Sequence, residues 1–260
     1  MLIGSLPGYV SLGEVTHAFN HANRDSFKRD CSCGKAPKEC PVWQQVIERT
    51  AHLTIEQTSE RYRILDLALT EHFGANYCLV DSSKRTDVLK TLNAKYPGKI
   101  RVIFLVKDLR HFILSQMAKP QAIPKMREQK FGAVLSKLPI WVGAYYNWIK
   151  RNSTINLFLK MNNIDHLRIG YNEIGESKQK MEKYLLEYLN ESENTLDFSY
   201  SRSTHHMLLG NKIFIYGTRQ SGFQYDRSWC AKKLPFLCRL AIKPALGFND
   251  RLTQSNGNGE

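Results

Sequence analysis

Long apolar runs are missing from this chain. A spanning helix needs roughly 18–20 apolar residues in succession, and the best run, Val102-Ile103-Phe104-Leu105-Val106, is strand-sized and closed off by Arg101 and Lys107. No transmembrane segment is therefore expected. Met1 is not followed by a basic stretch leading into a long apolar one, so no signal peptide is read. Cysteine is sparse, six in 260 residues. A chain this long has enough core to stand without disulfides, and a reducing, cytoplasmic location is expected. No phosphate loop of the G-x-x-x-x-G-K-[S/T] kind occurs; Gly34-Lys35 is followed by Ala36 and follows no strand pattern. Aromatic and basic residues are not interleaved in a repeat, which argues against a nucleic-acid groove.

Acidic residues are also in deficit: 24 against 37 Lys and Arg, a formal charge of +13. Such a surface favours anionic partners, among them nucleotides and sulfated or phosphorylated substrates. The hydrophobic fraction of 42% is that of an ordinary globular protein.

Apolar stretches of strand length alternate with helical patterns. Residues 1–10 read as the end of a helix running into a Pro7-Gly8 turn. Apolar positions at helical spacing, Ile55, Tyr62, Leu65, Leu69 and Phe73, predict a helix within 43–73 that Gly74 closes. Buried strands are expected at 77–80, 100–106 and 166–169, and helices at 88–96, 138–161 and 176–190. Residues 118–130 read as a mobile basic loop and 249–260 as a disordered tail, leaving one domain over 1–248. Strands alternating with helices predict an α/β domain with a mostly parallel sheet. Ligands of such sheets bind beyond the carboxyl ends of the strands. Asp81-Ser82-Ser83-Lys84 and the segment from Lys107 to Ser115 both fall there.

In the second of these, a strand delivers Lys107 to its end. Asp108 is a good N-cap for the next helix, and Ser115 follows eight residues after Lys107. A cation at the strand end and a hydroxyl two turns along the helix suit a phosphate, although an incidental serine beside a charged turn fits the same spacing. Cys31, Cys33 and Cys40 cluster as C-x-C-x6-C. Zinc with His17 or His21 as fourth donor, a disulfide, and plain thiols in a tight loop are the alternatives. The spacing matches no standard zinc pattern, so no metal is expected.

Lys107-Asp108-Leu109-Arg110 with Ser115 resembles the 3′-phosphate motif of sulfotransferases, in which a strand ends in Arg-Asp-Pro-Arg and a serine follows eight residues after the first arginine. Lys replaces the first Arg, keeping its charge but losing the planar fork, and Leu replaces Pro. Three further segments agree in order with bacterial-type members of that family. They are Val10–Glu14 with Cys31–Gly34 and Cys40–Trp43; Val80–Lys84; and His205-His206 with Gly210-Asn211 and the Asp226, Trp229 pair. The resemblance covers about residues 2–234. It implies a P-loop-type three-layer α/β domain and 3′-phosphoadenosine 5′-phosphosulfate as cosubstrate. It also implies transfer of a sulfonate group to a hydroxyl or amine of a small-molecule, carbohydrate or peptide acceptor.

The family's first strand and its phosphosulfate loop find no counterpart. Met1–Gly8 is similar to the end of the helix that follows that loop, so the chain reads as truncated at its N-terminus. Little or no transfer activity is expected of the chain as it stands, and a non-catalytic remnant that binds a nucleotide or partner is the alternative. A small-molecule kinase is disfavoured by the absent P-loop lysine. Carried over residue by residue, the resemblance implies Glu14 as general base and Lys84 as the cation near the transferring sulfonate. Against these stand a capping or surface Glu and a solvated turn lysine, with His17 as another base. Lys107 and Ser115 are the implied 3′-phosphate ligands, joined by Lys212 and Arg219, although Phe214 stands where relatives often carry a further Arg. Ser82 and Ser83 read as caps for the following helix, and His205-His206 as either acceptor-pocket or packing residues. Trp43, Trp141, Trp148 and Trp229 read as core.

Overall fold

The computed structural model describes residues 2–21, 29–54, 56–118, 138–194, 196, 205–209 and 229–256. The chain forms two compact units, each discontinuous in sequence: Met1–Ile100 with Glu193–Phe223, and Arg101–Ser192 with Gln224–Glu260. Both are mixed α/β, and each is built on a two-stranded parallel sheet.

In the first unit a single 3-10 turn, Leu2–Ser5, leads through Pro7-Gly8 into β1, Tyr9–Gly13. The expected helix end is thus one short turn followed by a strand. Four successive residues of β1, Val10 to Gly13, are buried, so it lacks the alternation that marks a one-faced strand. It pairs in parallel with β2, Cys78–Asp81. Between them lie α1, Val15–His21, α2, Trp43–Thr50, and α3, Thr58–Phe73; α4, Thr86–Lys95, follows β2. The helix expected within 43–73 is two helices. Arg61 reaches back to the Leu53 carbonyl at 2.7 Å and so pairs a backbone acceptor at the break. Gly74 ends α3 with φ +82°, and its N–H donates to the Thr70 carbonyl. Tyr62, Leu65, Ala68 and Leu69 of α3 pack with Leu12, Trp43 and Val46 to form the core.

The second unit pairs β3, Val102–Val106, with β4, His166–Gly170, in register from Val102–His166 to Val106–Gly170. Helix α5, Leu109–Met117, follows β3; α6, Ile140–Met161, precedes β4; α7, Tyr171–Glu176, and α8, Lys178–Leu189, come after it. The expected mobile loop lies almost wholly outside the described residues. Helix α9, Phe236–Leu252, carries Pro244 and overruns the start of the expected disordered tail. Residues beyond it are tied to β4. The Asn256 side chain accepts from the Arg168 N–H at 2.6 Å and donates to the His166 carbonyl at 3.0 Å. Gly170 permits this approach, since a Cβ there would meet the Thr253 carbonyl oxygen at 1.9 Å. The polar residues Gln254 and Asn256 thus serve as donors and acceptors for a strand edge. Among the described residues no helix is long and apolar enough to cross a membrane.

Asp108 is the polar anchor of this unit. As expected it caps α5, accepting from the Arg110 N–H at 2.8 Å and the His111 N–H at 3.3 Å. It also pairs with the Arg110 guanidinium and accepts from the buried Asn249 amide, whose oxygen takes the Leu109 N–H at 2.7 Å. Burial pushes its carboxyl up, but these donors outweigh burial and hold it below the ordinary value. The folded pKa thus lies under the unfolded one, and the stabilisation is present above the unfolded value and lost as pH falls through the folded one. Asp108→Ala is expected to cost about 2–4 kcal/mol at pH 7, a cap plus charge-assisted hydrogen bonds. In urea titrations the gap to the parent should begin to narrow on acidification below about pH 4, where the carboxylate of the unfolded chain takes up its proton first.

Candidate functional site

In the first unit the carboxyl ends of β1 and β2 are joined by a carboxylate. Asp81 accepts from Tyr62 Oη, from the N–H and hydroxyl of Ser83, and from the Val15 N–H at 3.3 Å. Ser83 in turn accepts from the Thr16 N–H at 2.9 Å. The Asp81–Ser83 loop therefore caps α1, the helix that leaves β1, where the sequence pointed to α4. Burial, countered by these donors, leaves Asp81 above its ordinary value. Burial and the nearby Asp81 carboxylate raise the Tyr62 phenol.

This frame holds Glu14 and Lys84, the two residues implied for catalysis. Lys84 Nζ donates to Glu14 Oε1 at 2.8 Å. Glu14 follows Gly13 directly, and its N–H donates to the Leu209 carbonyl at 2.9 Å. Gly13 has φ +72°, and a Cβ there would meet that carbonyl oxygen at 2.2 Å, so only glycine fits. Lys84 itself takes a left-handed backbone, φ +58°, which costs a non-glycine residue of the order of 1 kcal/mol. Its side chain remains 73% exposed. A shallow depression of about 220 Å³ on α2, lined by Lys38, Gln44, Ile47, Glu48 and Ala51, contains neither residue.

The second unit holds Lys107 and Ser115. Lys107 follows the last residue of β3. Its carbonyl accepts from the buried Trp148 indole at 2.7 Å, and its ammonium lies 5.6 Å from the centre of the Tyr171 ring. Tyr171 begins α7 directly after β4, so a cation and an aromatic ring stand at the carboxyl ends of neighbouring strands. Ser115 is on α5 as expected, with its hydroxyl turned to the Phe112 carbonyl at 2.8 Å. Lys212, Phe214, Arg219 and Asp226 lie outside the described residues. Trp43 and Trp148 are core residues, 0% and 2% exposed. Trp229 is only partly buried and stacks on His111 with ring centres 4.9 Å apart. Trp141 is also only partly buried.

A second cluster unites residues far apart in sequence. The ligating atoms of Cys31, Cys33, Cys40 and His206 all lie within 4.8 Å of one another. The expectation of no metal rested on a spacing that matches no standard zinc pattern, and spacing within 31–40 could not show a donor that comes from far along the chain. His206 supplies the donor, whereas His17 does not belong to the cluster; the side chain of His21 lies outside the described residues. The adjacent His205-His206 pair was the visible signal, but 166 positions separate His206 from Cys40 and only the fold brings them together.

Set against family models, curated proteins and solved structures, the chain gives no match in any of the three.

Two substitutions separate the frame from the exposed pair. Tyr62→Phe removes a hydrogen bond to a buried carboxylate and is expected to cost about 1.5–3 kcal/mol in urea unfolding. Lys84→Ala breaks only a solvated ion pair and should change stability by less than about 0.5 kcal/mol.

Proposed function

We propose that this protein binds 3′-phosphoadenosine 5′-phosphosulfate and belongs to the P-loop-type three-layer sulfotransferases, transferring the sulfonate to a hydroxyl or amine. The observation that carries the reading is the Glu14–Lys84 pair at the carboxyl ends of two parallel strands, with Lys84 held in a strained left-handed backbone. Backbone strain at an exposed lysine brings no packing benefit and is the kind of cost that functional sites carry. A base and a cation are also the two groups that sulfonate transfer requires.

In this mechanism the acceptor oxygen attacks sulfur and its proton passes to Glu14. The bond from sulfur to the bridging oxygen breaks, and the leaving adenosine 3′,5′-bisphosphate carries away the electron pair. Lys84 offsets the charge that grows on the bridging oxygen. In the second unit, taken by itself, the resemblance assigns Lys107 and Ser115 as phosphate ligands, and the basic surface favours anionic nucleotides. The acceptor is a small molecule, carbohydrate or peptide; acceptor loops vary on a shared scaffold and do not follow from the fold.

Calorimetry with adenosine 3′,5′-bisphosphate is the primary test. Lys107→Ala should weaken binding by about 1.5–3 kcal/mol, the scale of a charge-assisted hydrogen bond. The chain as it stands is expected to show little or no transfer; with a family strand and phosphosulfate loop grafted on, Glu14→Gln should leave binding intact and lower sulfonate transfer to an acceptor panel by about 100-fold or more. No binding by the parent protein would overturn the reading. Binding without transfer in the grafted form would leave the alternative, a non-catalytic nucleotide-binding protein.

A further inference from the structure

Four soft donors converge in the first unit, independently of the charged pair. Cys31 and Cys33 sit in one tight turn. The Gly34 N–H donates to the Cys31 carbonyl at 2.8 Å, the Cys31 N–H donates to the Lys35 carbonyl at 2.8 Å, and Gly34 has φ +86°. Cys40 closes a second turn, its N–H donating to the Ala36 carbonyl at 2.9 Å, immediately before α2. His206 arrives on the segment 205–209, which is laced to the first turn. The Ser32 N–H donates to the Met207 carbonyl at 2.9 Å, and Ser32 Oγ donates to the His205 carbonyl at 2.7 Å. The Trp43 indole donates to the His206 carbonyl.

The separations among Cys31, Cys40 and His206 are close to those of a tetrahedral centre, and Cys33 lies within 4.8 Å of all three. Zinc–sulfur bonds of about 2.3 Å and zinc–nitrogen bonds of about 2.0–2.1 Å place sulfurs about 3.8 Å apart and sulfur about 3.6 Å from nitrogen. Here Cys31 and Cys40 Sγ are 3.6 Å apart, and His206 Nδ1 lies 3.2 Å from Cys40 Sγ and 4.0 Å from Cys31 Sγ. Cys31, Cys40 and His206 are buried and Cys33 is half-buried, so the centre has little access for solvent. Thiols gathered only for packing gain nothing from turning three sulfurs and a ring nitrogen toward one point. A set of three thiolates and one imidazole selects zinc among the common divalent ions, and four protein donors leave no open position for chemistry.

We propose that Cys31, Cys33, Cys40 and His206 bind one Zn²⁺ ion in a closed structural site that staples the 29–42 loop to the 205–209 segment. Binding forms three zinc–sulfur bonds and one zinc–nitrogen bond, and the thiols lose their protons to solvent. The consequence reaches Glu14. Leu209 lies three residues beyond His206, accepts the Glu14 N–H, and bridges to Gly13 at the end of β1. The ion would thus fix the segment against which Glu14 is set, whatever reaction that residue serves.

The test is elemental analysis of the full-length protein purified without chelator, beside replacement of the native metal by Co²⁺. One zinc per chain is expected, and the cobalt form should show the visible bands of tetrahedral thiolate coordination. Cys33→Ser, at the most accessible donor, and His206→Asn should each weaken zinc binding at least about 10-fold in chelator competition. Cys78→Ser, at an exposed thiol outside the cluster, should retain full zinc. Should Cys40→Ser fail to fold, chelation of the parent protein supplies the equivalent test, with a lowered melting temperature that added zinc restores. Protein that folds fully with less than a tenth of an equivalent of zinc would overturn the proposal. So would a Cys31–Cys40 disulfide, or zinc retained undiminished by both Cys33→Ser and His206→Asn.

Discussion

Backbone pairing between chain segments about 175 and 195 residues apart organises the first unit. Ser32 and Met207 exchange hydrogen bonds, Glu14 donates to Leu209, and Trp43 donates to the His206 carbonyl. The Trp43 bond is buried and the others are half-buried, and leaving the buried indole unpaired would cost of the order of 1–3 kcal/mol. Segment 205–209 therefore has one place to lie, and its position sets the surroundings of both the thiol cluster and Glu14. The apolar side of the same contact is equally tight: Met207 and Leu208 are 0% exposed.

Two kinds of chemistry sit within a few residues of this segment, and they differ in what holds them. The Glu14–Lys84 pair is exposed at the lysine and contributes little to stability, so its geometry is inherited from the Asp81 frame beneath it. Asp81 gathers donors from the loop after β2, from α1 and from α3, which explains how a two-stranded sheet with half-exposed β2 keeps its carboxyl ends in order. The cysteine–histidine cluster is the reverse case, buried and directly joined to the core through Trp43 and Cys40. A pair poised at a rigid edge suits binding and transfer, whereas a closed set of four donors suits a structural ion.

In the second unit the corresponding role belongs to Asp108. It ends the β3 turn, starts α5 and holds Asn249 of α9. The last turn of α9, which the sequence reading placed in a disordered tail from 249, is thereby tied into the buried centre. Trp148 completes the arrangement by bonding to the Lys107 carbonyl, while Phe248 of α9 packs edge-on against the same indole at 6.0 Å.

The alternation of strands and helices, the Gly74 stop, the Asp108 cap and the placing of charged residues after strand ends were legible in the order of the amino acids. Each of these follows from contacts within a few residues. Where local signals were weak or opposed, contacts distant in sequence settled the outcome. β1 is buried along most of its length and shows no alternation. The 43–73 pattern hides a break that Arg61 bridges from a turn away. Helix α9 contains Pro244, its Asn249 finds partners at Asp108 and Leu109, and Asn256 beyond it pairs with the edge of β4. The union of Cys31, Cys33 and Cys40 with His206, and of Glu14 with Lys84, joins positions 166–175 and 70 residues apart. No local periodicity encodes such pairings; they arise because the two segments of each pair bury their backbone and apolar groups against the same core.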